Sequence, residues 1–523
     1  MKMDPRQLRT HKNQVILILA FFFCTMLSGQ QSGLITQRYF KDPDVKFDTP
    51  TLSLDENRFA TYEEILNWIE SNIAVHVNAS VRIIGTTPLG QDIPVIYLSN
   101  GSSAPKLRVW FQGLLHGNEP AGGEALLFLA KEILTTAEGE NILDNLDIAI
   151  LPIANIDGYI ANTRRSSNGY DLNRDQTKFA DPVSRIIKAA FISWQADLAF
   201  DFHEFQPTRR EYAGIGEDGA SISYDVLFLP SGYLNIPSGL RKASVDIFQK
   251  EAEAALERNG YTHNFYFTAG DYGDSIMLNK GAQSPHSSST SYALSNAVSL
   301  LVETRGIGLG RTSFARRTHS ARVVAGEFLL SALRHKEELT TIINEARNET
   351  LSGKTDVVVT STPSVCYRDV DFIDLSDGML LKLRMRVNDA ENLNPEIVRP
   401  RPKGYIIEPG HEKEIEVLKL LGLEITQLRK GKKLKVQSYL IEKYEESETE
   451  WEGIRTASVS ARLISQRLPF AKGSYYVDLR QKNANYVISV MEPEAVNGFV
   501  SYRVTTTFQG DTLPWHRIEE RNR

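Results

Sequence analysis

An α/β fold, with a mixed central sheet flanked by helices and a smaller α+β domain behind it, is the architecture this sequence predicts. Three observations lead there. Four strand-length runs, at 107–112 ("LRVWFQ"), 146–154 ("LDIAILPIA"), 196–202 ("ADLAFDF") and 297–303 ("AVSLLVE"), are apolar on both faces, as in strands covered from each side. Helical stretches alternate with them, which is the pattern of an α/β domain. After about residue 350 the chain turns strand-rich, so a second domain begins there.

Taken in order, the first thirty residues stand apart. Lys2, Arg6, Arg9 and Lys12 precede the uncharged run "VILILAFFFCTML" (15–27), and small residues follow. A basic head, a short apolar middle and a small-residue exit read as a signal peptide over 1–30, and thirteen apolar residues are short for a membrane span. The expectation is an exported protein, periplasmic or secreted, without a stable membrane span once that segment is removed. Residues 61–73 have helical periodicity with acidic residues in the first turn. Residues 80–99 read as strand, turn, strand. Helices are expected over 120–135 and 181–195, the second opened by Asp181-Pro182 as cap and first residue. A long helix is expected over about 320–347, a linker over 348–356, and strand, helix, strand over 404–428. The acidic run at 442–452 reads as a solvated loop. The predicted domains are therefore 31–350 and 351–523.

Composition narrows the function. The chain has 523 residues, of which 41% are apolar and 24% charged, an ordinary globular balance. Its formal charge of −6 becomes more negative without the basic head, so nothing suits it to nucleic acid. Of two cysteines, Cys24 lies in the signal segment and only Cys366 remains. A cysteine metal site or thiol nucleophile is thereby excluded, and any metal must be held by histidines and carboxylates. Asn78, Asn100 and Asn348 begin N-x-S/T triplets, which matter only in a host that glycosylates.

Ten histidines include four His-x-x-Glu pairs: His116/Glu119, His335/Glu338, His411/Glu414 and His516/Glu519. Position separates the first from the rest. His116 and Glu119 follow the run at 107–112, His203 follows 196–202, and Glu303 closes 297–303. Asp171, Asn173 and Arg174, in "NGYDLNRD", lie beyond 146–154. Ligands of open α/β sheets bind at the carboxyl ends of the strands, so these groups converge. The other three pairs read as solvated surface. His263, His286 and His319 read as ordinary surface or core histidines that could instead line the pocket. Glu204, next to His203, points to the other side of its strand, and Arg305 is either pocket wall or the partner of a carboxylate.

Two imidazoles and a carboxylate, from His116, Glu119 and His203, suit one Zn²⁺ with a fourth position open to water. Such an ion acidifies its water and polarises a carbonyl. Acyl transfer then needs a base, for which Glu303 is the candidate, and positive charge near the developing oxyanion, which an arginine supplies. Asp171 could accept the remaining N–H of a ligand histidine and fix its tautomer.

"HGNE" (116–119), "DLNR" (171–174), "DFHE" (201–204) and "LVETRG" (301–306), in that order, make the chain resemble the M14 zinc carboxypeptidases over roughly residues 50–340. The resemblance implies zinc on His116, Glu119 and His203, Glu303 as general base, and Asn173 with Arg174 holding the terminal carboxylate of a peptide. It implies Asp171 as partner of the first histidine and Arg164 as the arginine that polarises the scissile carbonyl, with Arg165 the alternative. Residues 351–523, with "RPRPKGYIIEP" and "KGSYYVDLRQ", resemble the extension of many bacterial members. In one respect the chain departs. A tyrosine expected some twenty residues before Glu303 is missing from "LNKGAQSPHSSST" (278–290), a polar stretch that reads as a loop over the site; Tyr272 and Tyr292 are the nearest. The expected activity is removal of C-terminal residues from peptides. The alternatives are an amidohydrolase of the same fold acting on cell-wall peptides or N-acyl amino acids, and a non-catalytic binding protein.

Overall fold

The computed structural model describes residues 32–272 and 275–519; the signal segment at 1–30 lies outside them. In chain order the strands of the first half are β1 (Ala79–Thr86), β2 (Asp92–Leu98), β3 (Leu107–Gly113), β4 (Leu146–Leu151), β5 (Leu198–Phe205), β6 (Ala220–Ile222), β7 (Val226–Pro230), β8 (His263–Phe265), β9 (Phe267–Tyr272), β10 (Ser275–Lys280) and β11 (Val298–Arg305). The second half adds β12 (Val357–Asp374), β13 (Leu380–Arg399), β14 (Gly404–Ile407), β15 (Ile425–Gln427), β16 (Lys432–Glu446), β17 (Ala457–Phe470), β18 (Tyr475–Asp478) and β19 (Thr512–Ile518).

Eight strands form the central sheet in the order β1-β2-β4-β3-β5-β11-β7-β8. Its middle, β4-β3-β5-β11, is parallel, and antiparallel pairings to β2 and β7 make the sheet mixed. Every residue of β5 and of β11 is buried, as apolar runs without alternation demand. Helices at Pro120–Thr135, Pro182–Trp194 and Phe314–Arg334 cover it. The helix expected over 320–347 is two helices meeting at His335, the second, Lys336–Ser352, running through much of the expected linker and ending at Gly353 in the left-handed conformation.

A second sheet, β6-β12-β13-β10-β9, draws strands from both sides of residue 350. A third, β15-β18-β14-β19-β16-β17, belongs to the second half alone. One continuous apolar core nevertheless includes residues from Ala60 to Trp515. Among the described residues no helix is long and apolar enough to cross a membrane.

His335 pairs on the surface with Glu338 and Glu251, and His411 lies 3.5 Å from Glu414. His516 differs from the surface reading: it is buried on β19 with Nδ1 2.7 Å from the Ser438 hydroxyl. His263 pairs with Glu257 at 3.2 Å. His319 packs edge-on against Phe47, and its Nδ1 lies 2.6 Å from the Tyr261 hydroxyl. Burial, with Arg322 and Arg316 nearby, holds its pKa down at about 4 from an ordinary 6.5. The unfolded chain therefore takes up this proton first as pH falls, and folding stability drops between pH 6.5 and about 4. Urea unfolding across that range is expected to give a shallower pH dependence for His319→Gln than for the native protein.

Candidate active site

Strand β3 delivers the first two groups through a tight exit. Leu114 takes a left-handed φ of 54°, and the turn is held because Ala154 N–H donates to Gly113 O and Asn155 N–H to Leu114 O. Next to His116, Gly117 lies so close to the chain at 158–159 that a Cβ would fall 2.0 Å from the Gly158 carbonyl carbon. Glu119 caps the helix that Pro120 opens, its carboxylate beside the positive helix end. Parallel pairing then sets His203 of β5 opposite Glu303 of β11.

His116, Glu119 and His203 are all at most 2% exposed, and one ligand atom from each lies within 4.8 Å of the others. The two Nδ1 atoms stand 3.0 Å apart, at 2.8 and 2.9 Å from the two oxygens of Glu119. Each ring's other nitrogen faces a carboxylate: His116 Nε2 lies 3.2 Å from Asp171 Oδ1, and His203 Nε2 2.9 Å from Asp201 Oδ2. With the Nε2–H atoms donated outward, both Nδ1 lone pairs are aimed at one point beside a carboxylate. Lone pairs so close repel unless a cation lies between them, so this donor set fits a divalent metal such as Zn²⁺.

The surroundings are charged and mostly dry. Although burial opposes it, His116 and then His203 hold the Glu119 carboxyl well below the usual carboxylate range. Asp171 is likewise held low by His116 and Arg164. Glu303 goes the other way: burial pushes its carboxyl up to about 8 against the pull of His203. Arg164 lies between them, Nη2 2.9 Å from Asp171 Oδ2 and Nη1 3.5 Å from Glu119.

A pocket of about 260 Å³ opens onto this cluster, lined by His116, Arg164, Asn173, Arg174 and Glu303 among others. The structure thus brings together His116, Glu119, His203, Glu303, Asp171, Asn173, Arg174 and Arg164, but not Arg165. That arginine turns outward to Glu452, at 2.7 and 2.9 Å, so of the two arginines only Arg164 reaches the pocket. Arg305 is no part of the wall: it is buried over the Phe40 ring and bonds Ser221. Glu204 faces away from the metal cluster to Arg317, at 3.0 Å, and accepts from Ala121 N–H.

Sequence reading passes over Asp201, Arg209, Tyr266 and Ser288. Asp201 was legible, since D-x-H on a strand puts both side chains on one face. Ser288 donates its hydroxyl to Asp201 and its backbone N–H to Asn173 Oδ1, tying the wall together. The stretch 278–290 is the end of β10 and a turn rather than a free loop, and 281–284 with His286 and Ser287 form one wall of the pocket. Tyr292 is sealed in the core, donating to Gln112. The pocket's tyrosine is Tyr266, just before β9.

His286 also corrects a surface or core reading, because it lines the pocket. It stacks on Trp451 at 5.3 Å, which stacks on Tyr502. Trp451 and Glu452 end the acidic run at 442–452, which is mostly exposed as expected, and these two residues hold its end against His286 and Arg165.

Substituting Gly117→Ala would drive a methyl group into the 158–159 backbone. It is expected to cost about 1–3 kcal/mol of stability and to reduce bound metal, read by thermal unfolding and by metal analysis of the purified protein.

The zinc carboxypeptidase family (Peptidase_M14) matches residues 65–218. Carboxypeptidase 2 of Trichophyton rubrum is 29% identical over 438 residues, 82% of this chain and 81% of that protein. A probable carboxypeptidase 2 of Arthroderma benhamiae is 29% identical over 77% of this chain and 78% of its own length. A metallo-carboxypeptidase from Burkholderia cenocepacia superposes at 18% identity with a TM-score of 0.40, over 53% of this chain and 70% of that one, too loosely to carry weight. Residues 65–218 thus match the zinc carboxypeptidase family, and over most of its length the chain is similar to curated carboxypeptidases.

Proposed function

We propose that this protein is an exported zinc carboxypeptidase that hydrolyses the C-terminal peptide bond of peptides bearing a free terminal carboxylate. The observation that carries the reading is the Glu303 carboxyl beside a paired-imidazole donor set, in a pocket that also holds Arg164, Asn173 and Arg174. Export is supported by the basic, then apolar, segment at 1–30.

Zinc held by His116, Glu119 and His203 would supply an acidified water and a positive charge for the carbonyl oxygen. Glu303 takes the proton of the attacking water on its carboxylate and returns it to the leaving amine nitrogen. Its raised pKa suits a group that must both accept and give a proton near neutrality. Arg164 sets a guanidinium against the developing oxyanion, oriented by Asp171. Arg174 and Asn173 take the terminal carboxylate, which fixes the scissile bond one residue away. Asp171 and Asp201 hold the two imidazoles in the tautomer that turns Nδ1 inward.

Product mass spectrometry over time tests this. Stepwise loss of C-terminal residues is expected, abolished by a chelator, by C-terminal amidation and by Glu303→Gln, the last with metal content unchanged. Cleavage of muropeptides or N-acyl amino acids alone would move the same chemistry to another substrate. Asp201→Asn is expected to weaken zinc affinity about 10–100-fold, read by competition with a chromogenic chelator.

A further inference from the structure

Five arginine and glutamate side chains reach the pocket, and three of them are already committed. Arg164 is paired with Asp171, and Glu204 with Arg317. Glu303 stands opposite His203 at the metal donor set. Arg174 and Arg209 remain. Arg174 Nη1 donates to Asn173 O, and Arg209 Nε lies 3.4 Å from Gln206 O; neither makes an ion pair among the described residues. A half-buried guanidinium left without a carboxylate in an enzyme pocket is an anion site waiting for its ligand.

Arg209 follows β5 six residues after His203, where the bridge from Thr208 to Ser221 holds the chain against β6. Tyr266 lies across from it, between β8 and β9, and both side chains line the cavity that contains Glu303. Arg164, Arg174 and Arg209 line the same cavity as Tyr266, which places three guanidiniums around one space. The main-chain terminus of a peptide offers one carboxylate, and Arg174 with Asn173 accounts for it. The pocket has capacity for another.

We propose that Arg209, with the Tyr266 hydroxyl beside it, binds a second substrate carboxylate, so that the pocket selects peptides with an acidic side chain at the terminal or the penultimate residue. The inference rests on the carboxypeptidase reading above. It follows that a terminal lysine or arginine is the poorest choice, because its cation would face an unmatched guanidinium at short range.

The test uses the zinc-loaded full chain and peptides ending in Leu-Glu, Glu-Leu, Leu-Leu and Leu-Lys, with the native protein, Arg209→Gln and Arg209→Lys. The native enzyme is expected to prefer an acidic peptide by about 10–100-fold in kcat/KM, the worth of a charge-assisted hydrogen bond. Arg209→Gln is expected to erase that preference mainly through KM, and Arg209→Lys to restore part of it. Preference for Leu-Glu assigns the site to the terminal side chain, and preference for Glu-Leu to the penultimate one. Equal loss on all four peptides, or a native preference for Leu-Leu or Leu-Lys, overturns the proposal while leaving the carboxypeptidase intact. Binding of the same peptides to Glu303→Gln and to Glu303→Gln/Arg209→Gln by calorimetry needs no turnover. Tighter acidic binding that depends on Arg209 sustains the site even if no peptide is cut, and its absence rejects it.

Discussion

Two imidazole nitrogens aimed at each other across 3.0 Å are the constraint around which the catalytic half is arranged. Left alone, the arrangement is unfavourable: lone pairs oppose one another, and the carboxylates of Glu119, Asp171 and Asp201 crowd behind them in a buried space. Much of the local structure reads as a means of enforcing it. The left-handed Leu114, the bare Gly117 and the proline after Glu119 commit β3's exit to one path. Gln112 and Ser288 fix Asp201 from two sides. Arg164 offers the cluster a permanent positive charge, and it is committed to Asp171. A divalent ion would complete the charge balance that these residues leave open.

The sheet and the cluster were largely legible in the sequence, for a physical reason. Strands buried on both faces must be apolar throughout, so any polar residue at their carboxyl ends is conspicuous, and His203 and Glu303 stand out as such. His116-x-x-Glu119 was ambiguous among four similar pairs until its strand was located. Arg209, Tyr266 and His286 were not legible, because each reaches the pocket through a turn or an edge strand whose path is set by tertiary packing. The end of the acidic run at 442–452 was hidden for a different reason. Glutamates dominate the run's composition, but Trp451 decides the position of its end by stacking on His286. His335, where one helix becomes two, carries no breaker to announce the bend.

Residues after 350 are built into the catalytic half rather than appended to it. Strands β12 and β13 close a sheet with β6 and β10, Asn235 bonds Val358 on both its donor and acceptor sides, and Glu492 gathers Arg399, Arg517, Tyr405 and Tyr439 into one buried network. Trp451 stacks on the pocket-lining His286 and on Tyr502, so the second half packs against the outer side of the pocket wall.

Lys188 shows what that integration demands. On the helix Pro182–Trp194 its ammonium is fully buried, bonded to Ser291 at 2.7 Å and surrounded by the rings of Phe191, Tyr292 and Tyr486. Tyr486 comes from the far end of the chain, and it closes the cage. Without Tyr486 the cage around Lys188 is open on one side, so the helix Pro182–Trp194 has its buried lysine enclosed only when residues near the end of the chain are packed against it.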